Sequence, residues 1–264
     1  MRSLLVILLS LCFVSAAQAA LKTEPVRYEA DGVSLHGYLA YDSRIKGKRP
    51  GVLVVHEWWG HNAYARKRAE MLAAMGYTAL AVDMYGDGKQ ADHPEDAKKF
   101  MQAVASQMPV ARARFEAAMN LLQAHRTVNP DRIAAIGYCF GGAVVLNMAR
   151  LGLPLKGVLS YHGSLASPIQ AEPGRIHARV AVFTGADDPM IPGEQIDAFN
   201  AEMRRAGVTH SVTVYAGVKH SFTNPDADDY GRRFNMPLAY DAAADRDSWA
   251  QTATFLKELF PARR

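Results

Sequence analysis

Apolar positions along the chain follow two rhythms. Between residues 24 and 41 they alternate with polar ones. Val26 and Tyr28 precede Asp31-Gly32, and Val33, Leu35, Gly37 and Leu39 follow it. That alternation predicts a β-hairpin turning on the Asp-Gly pair. Gly51-Val52-Leu53-Val54-Val55 is continuous and β-branched, as a strand buried on both faces should be. Further strand-like runs lie at residues 77–82, 133–136, 156–161, 179–184 and 212–215. Between them the period changes to that of a helix. Residues 64–75 set Ala65, Ala69, Leu72 and Met75 on one face and stop at Gly76. A helical region opens at His93-Pro94, and Phe115, Ala118, Met119 and Leu122 form another apolar face. A helix starts near Gly141, one spans 194–206, and a last one carries Trp249, Thr252, Leu256 and Leu259. Strands alternating with helices predict a three-layer α/β fold with a mainly parallel central sheet flanked by helices. Residues 224–245 read as a long irregular stretch that folds over the site.

The first nineteen residues do not fit that alternation. Arg2 is followed by an apolar run at 4–14 broken only by Ser10, and then by Ala17-Gln18-Ala19. This is the pattern of a secretory leader cleaved after Ala19. It predicts export, to the periplasm in a Gram-negative cell, with no stable membrane anchor. One domain, residues 20–264, remains. Cys12 leaves with the leader, so Cys139 is the single thiol of the mature chain and no internal disulfide can form. A net charge of +4 spread over 30 Lys and Arg and 26 Asp and Glu has no polybasic run, and nucleic acid is not an expected partner. A small molecule is, acting on a monomer or weak dimer.

Cys139 sits in Gly137-Tyr138-Cys139-Phe140-Gly141-Gly142, directly after the apolar run 133–136. This is the strand–turn–helix elbow G-x-S-x-G with cysteine in the nucleophile position. The glycines allow the sharp turn, and the following helix points free N–H groups at the sulfur. An elbow requires an acid and then a histidine after later strands. Gly185-Ala186-Asp187-Asp188-Pro189 follows the run 179–184, and Lys219-His220-Ser221-Phe222 follows 212–215. Asp188, next to Pro189, is the favoured acid, and Asp187 is the alternative. In this arrangement Cys139 attacks an acyl carbon, His220 moves the proton and Asp188 orients His220. The oxyanion donors are the backbone N–H groups of Phe140 and Trp58. Glu57 ends the strand at 51–55 beside Trp58 and Trp59. It is either an ion-pair partner behind the site or a group that handles the thiol proton. Trp59, Tyr85, His162 and Phe222 are the candidate substrate-binding residues. His56 and His61 flank Glu57 as H-E-x-x-x-H, which is not the zinc spacing. Neither metal nor cofactor is expected.

Five pieces together resemble the dienelactone hydrolase (carboxymethylenebutenolidase) family of α/β-hydrolases. They are Val55-His56-Glu57-Trp58-Trp59-Gly60, Ala81-Val82-Asp83-Met84-Tyr85-Gly86, the elbow, Gly185-Ala186-Asp187-Asp188-Pro189 and His220-Ser221-Phe222. The resemblance covers the mature chain. It implies a Cys139, His220, Asp188 triad and cofactor-free hydrolysis of a small ester or enol-lactone. It also implies that Glu57 pairs with the resting thiol and takes part in its activation. Two arginines that hold a substrate carboxylate in the family correspond here to Asp87 and Asn224, and Lys89, Arg232 and Arg233 are the cations that could replace them. The alternatives are a broader carboxylesterase or thioesterase, and an exported binding protein without turnover.

Overall fold

The computed structural model describes residues 21–261, so the leader at 1–19 lies outside the described residues. Eight strands form one sheet: β1 (Leu21–Ala30), β2 (Val33–Asp42), β3 (Arg49–Val55), β4 (Thr78–Val82), β5 (Val128–Tyr138), β6 (Gly157–Tyr161), β7 (Arg179–Gly185) and β8 (His210–Tyr215). Their spatial order is β1-β2-β4-β3-β5-β6-β7-β8. The first two strands form the antiparallel hairpin that the alternation predicts. Asp31 and Gly32 both take positive φ, 54° and 69°, as a two-residue turn matched to the twist of its strands requires. From β4 through β8 every pairing is parallel. This is the mainly parallel α/β sheet read from the sequence.

Among the described residues there are seven helices: α1 (Ala63–Ala74), α2 (Pro94–Ala105), α3 (Met108–Ala124), α4 (Phe140–Arg150), α5 (Gly193–Arg205), α6 (Ala227–Phe234) and α7 (Ala242–Leu259). Side-chain caps start several of them. Asn62 accepts from Ala65 N–H at α1, and Asp241 accepts from Ala243 and Ala244 N–H at α7. One core lies between the sheet and α3, α4 and α5, where Phe115, Leu122, Val145, Met148 and Phe199 pack. The second lies under α1 and α7, with Ala69, Leu72, Phe255 and Leu256. Val52, Leu53, Val54 and Val55 of β3 are all completely buried because both faces are covered.

The stretch 224–245 is more ordered than its sequence suggests. It contains α6, ended by Asn235 in the left-handed region at φ 49°, and the start of α7. Eight residues are too few to show an apolar period. Packing of Tyr230 and Phe234 against Trp59 is what stabilises α6. The segment closes back on the chain through Ala239 N–H to His220 O at 3.1 Å and Asp241 N–H to Phe222 O at 3.0 Å.

Candidate active site

The candidate residues follow the carboxyl ends of β3, β4, β5, β6, β7 and β8, where an open parallel sheet places its crevice. Cys139 is the corner between β5 and α4. Its backbone is held at φ 51°, ψ −115°, outside the regions open to a residue with a Cβ, at a cost of about 1–3 kcal/mol. Three hydrogen bonds hold it there: Cys139 N–H to Tyr161 O at 2.9 Å, Gly141 N–H to His56 O at 3.1 Å and Ala143 N–H to Cys139 O at 3.2 Å. The glycines of the elbow are required by close approach. A Cβ on Gly137 would lie 2.0 Å from Gly141 O, and one on Gly141 would lie 2.3 Å from Val55 O. The Cys139 side chain is partly exposed.

Asp188 and His220 meet behind it. His220 Nδ1 donates to Asp188 Oδ2 at 2.7 Å, and Met190 N–H donates to the other carboxylate oxygen at 2.9 Å. Asp187 is exposed, so Asp188 is the acid that reaches the histidine. His220 Nε2 is buried without a hydrogen-bond partner of good geometry, and Cys139 is its neighbour. Burial works against a charged ring at His220. The Cys139 sulfur and the Asp188 carboxylate outweigh it and raise the pKa to about 10.

Glu57 is 1% exposed. Ser221 Oγ donates to its Oε1 at 2.8 Å and Asn224 Nδ2 to its Oε2 at 2.6 Å. Burial pushes the carboxyl pKa up, and these two hydrogen bonds pull it back. No hydrogen bond joins Glu57 to Cys139. The hydrogen bonds of Glu57 go to Ser221 and Asn224, in place of the resting pair with the thiol that the family resemblance implies. Ser221 and Asn224 were not recognised as partners from the sequence. They are the ends of one turn, closed by Asn224 N–H to Ser221 O at 2.9 Å, which brings side chains three positions apart to the same acid.

The N–H groups of Trp58 and Phe140 have no hydrogen-bond acceptor among the described residues. The loop presenting Trp58 is braced from two sides. His56 accepts from Met84 N–H at its Nε2, so its Nδ1 carries the proton and donates to Glu57 O at 2.5 Å. Tyr85 donates its hydroxyl to Trp58 O at 2.9 Å. The loop carrying Tyr85 hangs in turn on Asp83, whose carboxylate accepts from the N–H groups of His36, Tyr85, Gly86 and Gly88. Asp83 is fully buried, yet these backbone donors keep its pKa below the ordinary range against the upward push of burial.

The substrate-binding expectations need correction. Trp59 is 1% exposed and stacked on Tyr230 with ring centroids 4.2 Å apart, so its face is covered by α6. Tyr85 is buried among His56, Phe100 and Phe140 and acts on the loop instead. Phe222 and His162 have no exposed surface at all: Phe222 packs in the core under α7, and His162 lies among Tyr138, His220 and Phe222. Trp58, unlike these four, is only half-buried. The cations that could replace the family arginines are all paired with acids: Lys89 with Asp87 at 3.2 Å, and Arg232 and Arg233 with Asp229 at 2.8 and 3.3 Å. Among the described residues no group of three or more His, Cys, Asp or Glu side chains could hold a metal ion.

A strained cysteine, a histidine bonded to a buried acid and two free N–H groups can support acyl transfer. Comparison with known proteins gives the family and the fold. A solved dienelactone hydrolase-like promiscuous phosphotriesterase from metagenomic libraries is 37% identical, covers 91% of this chain and 99% of its own, and superposes with a TM-score of 0.86. An α/β hydrolase from a deep-sea metagenome library shares the fold at 16% identity and a TM-score of 0.67, over 90% of this chain and 98% of its own. Protein usf of Aquifex pyrophilus is 28% identical over 238 residues, 88% of this chain and 97% of that one. The dienelactone hydrolase family model matches residues 35–260, and the chain belongs to that family.

Proposed function

We propose that the protein hydrolyses small, uncharged esters or lactones through a thioester on Cys139. The Cys139 thiolate attacks the carbonyl carbon, and the oxyanion is received by the N–H groups of Trp58 and Phe140. The C–O bond breaks as His220 gives its proton to the leaving oxygen. Water then attacks the thioester while His220 takes a proton from it. The C–S bond breaks, and the acid leaves with the thiolate restored beside the imidazolium. The 2.7 Å bond from His220 to Asp188, which leaves Nε2 free beside Cys139, is the observation that carries this reading. The preference for uncharged substrates follows from Asn224 being engaged by Glu57 and from Lys89, Arg232 and Arg233 being paired with acids. An anionic lactone would find no free guanidinium to hold its carboxylate.

Turnover of an aryl acetate, a neutral lactone and an anionic lactone by the wild type and by Cys139→Ala tests the proposal. Activity on the neutral compounds that is lost in a folded variant supports it. Retained turnover in Cys139→Ala overturns it, and no turnover by the wild type on any ester would leave a binding protein as the function. Similarity to a structure described as a promiscuous phosphotriesterase favours a second, side reaction on neutral phosphotriesters. Those esters carry no charge at the reacting centre either, and paraoxon in the same assay tests it. The leader read at residues 1–19 would put this chemistry outside the cytoplasm. Fractionation of cells expressing the full chain checks that.

A further inference from the structure

His162 lies one residue beyond β6, is completely buried, and holds a positive φ of 38° although it is not glycine. Its ring stands edge-on to His220, with centroids 4.9 Å apart and planes at 67°. Its Nε2 lies 3.1 Å from Thr223 Oγ1, and its Nδ1 is buried without a partner. Thr223 Oγ1 also bonds to the Tyr64 hydroxyl at 2.6 Å, and Arg68 Nε donates to that hydroxyl at 3.3 Å. Arg68 is fixed in turn by Thr223 O and by Asp245 Oδ1, both at 2.6 Å.

This chain of hydrogen bonds has a direction. A guanidinium only donates, so the Tyr64 oxygen is an acceptor at its start. If Tyr64 then passes its own hydrogen to Thr223, Thr223 donates to His162 Nε2, and only one polar group, the Nδ1 N–H, is left unpaired. In the reverse sense the Tyr64 O–H and the His162 Nδ1 lone pair are both orphaned in the interior. The first arrangement leaves fewer buried groups unsatisfied, and it turns the Tyr64 hydrogen away from the cation.

We propose that His162 is a positioning residue, locked neutral with its proton on Nδ1 by the one-way chain Arg68–Tyr64–Thr223, and that it holds the His220 ring from the side. This rests on the reading of His220 as the base. The groups facing His162 are consistent with it. Tyr64 and Arg68 come from α1, Tyr138 from the end of β5, and His220 and Phe222 from the loop after β8. Asp245 on α7 balances Arg68. Burial, the His220 charge and the Arg68 charge all hold the His162 pKa well below the ordinary imidazole value. His220 therefore has a rigid uncharged neighbour that does not compete for its proton.

Long-range proton–nitrogen NMR spectra test this, with His162 assigned by its loss in His162→Asn. The expected result is a neutral Nδ1–H tautomer unchanged between about pH 5.5 and 9. An Nε2–H tautomer, or titration in that range, overturns the proposal. Thr223→Val, which keeps the shape but cuts the chain, is expected to free His162 to titrate. It should lower kcat about tenfold with little change in KM and add an ionisation to the acid limb of the pH profile. Thr223→Ser should restore the wild-type profile. If Thr223→Val does not fold, Tyr64→Phe cuts the same chain one link earlier, and an unchanged pH profile in whichever variant folds also counts against the proposal. The spectra need no turnover. Cys139-independent ester hydrolysis would therefore remove the functional reading and leave the tautomer standing, while an Nε2–H tautomer with Cys139-dependent hydrolysis does the reverse.

Discussion

Asn224, buried like its partner, donates its side-chain amide to the Glu57 carboxylate at 2.6 Å. This one bond links substrate choice to stability. It fills the position where the family resemblance expects a substrate-binding arginine, and it satisfies a carboxylate that could not otherwise remain buried.

Removing that donor has a calculable cost. Asn224→Leu leaves one Glu57 oxygen without its partner, and hydrogen bonds to charged groups contribute about 1.5–3 kcal/mol. Chemical denaturation should show a loss of that size at neutral pH. The loss should shrink at acid pH, where Glu57 is protonated and needs the donor less.

Substrate preference should respond to charge at the same place. Asn224→Arg brings in a guanidinium that can bind a carboxylate in a fork. The ratio of kcat/KM for an anionic lactone to that for a neutral one should rise relative to the wild type. An unchanged ratio would show that residue 224 does not reach the substrate.

The His220 charge depends on its neighbour. Its pKa is raised to about 10 chiefly by the Cys139 sulfur, against burial. In Cys139→Ser an NMR titration should find it much closer to the ordinary imidazole value. Stability should follow the same sign. A proton bound more tightly in the folded state stabilises it fully below the unfolded pKa of about 6.5, and this is lost as pH rises through about 10. Urea midpoints across that window should therefore fall more steeply for the wild type than for Cys139→Ser.

The elbow leaves no room for a methyl group. Gly137→Ala would set a Cβ 2.0 Å from a backbone oxygen that cannot move without breaking the corner. The expected outcome is a loss of about 3 kcal/mol or more, or failure to fold. Thermal unfolding of the purified variant decides between these.

The stack of Tyr230 on Trp59 is one of the contacts that anchor α6. Tyr230→Ala removes the ring lying 4.2 Å from Trp59. Aromatic pairs contribute about 0.5–1.5 kcal/mol beyond their buried area. Hydrogen exchange in residues 224–241 should accelerate while the central strands stay protected.

Much of the fold was legible because its signals are local. Continuous apolar runs at 51–55 and 133–136 could only be strands covered on both faces, and Asp31-Gly32 could only turn a hairpin. The order Cys139, Asp188, His220 followed from three short turns after three strands. α6 was not legible, since eight residues between loops carry too little periodicity and gain their stability from Trp59.

The amino-acid sequence by itself determined the strand and helix order, the corner that strains Cys139, and the chain positions from which an acid and a histidine must come. Each of these depends on a few neighbouring residues. The tertiary structure alone decided that Asp188 rather than Asp187 meets His220, and that Trp59, His162 and Phe222 are buried. It alone gave Glu57 the partners Ser221 and Asn224, which are 164 and 167 positions away. No local period records such distances. They are set only when the loop after β8, a strand separated from β3 by three others in the sheet, reaches back to the residue that follows β3, where a buried carboxylate must take whatever donors it meets. The corner at Cys139 marks where a group would be cut. On the proposed function, the hydrogen bonds around Glu57 bear on what charge that group can carry.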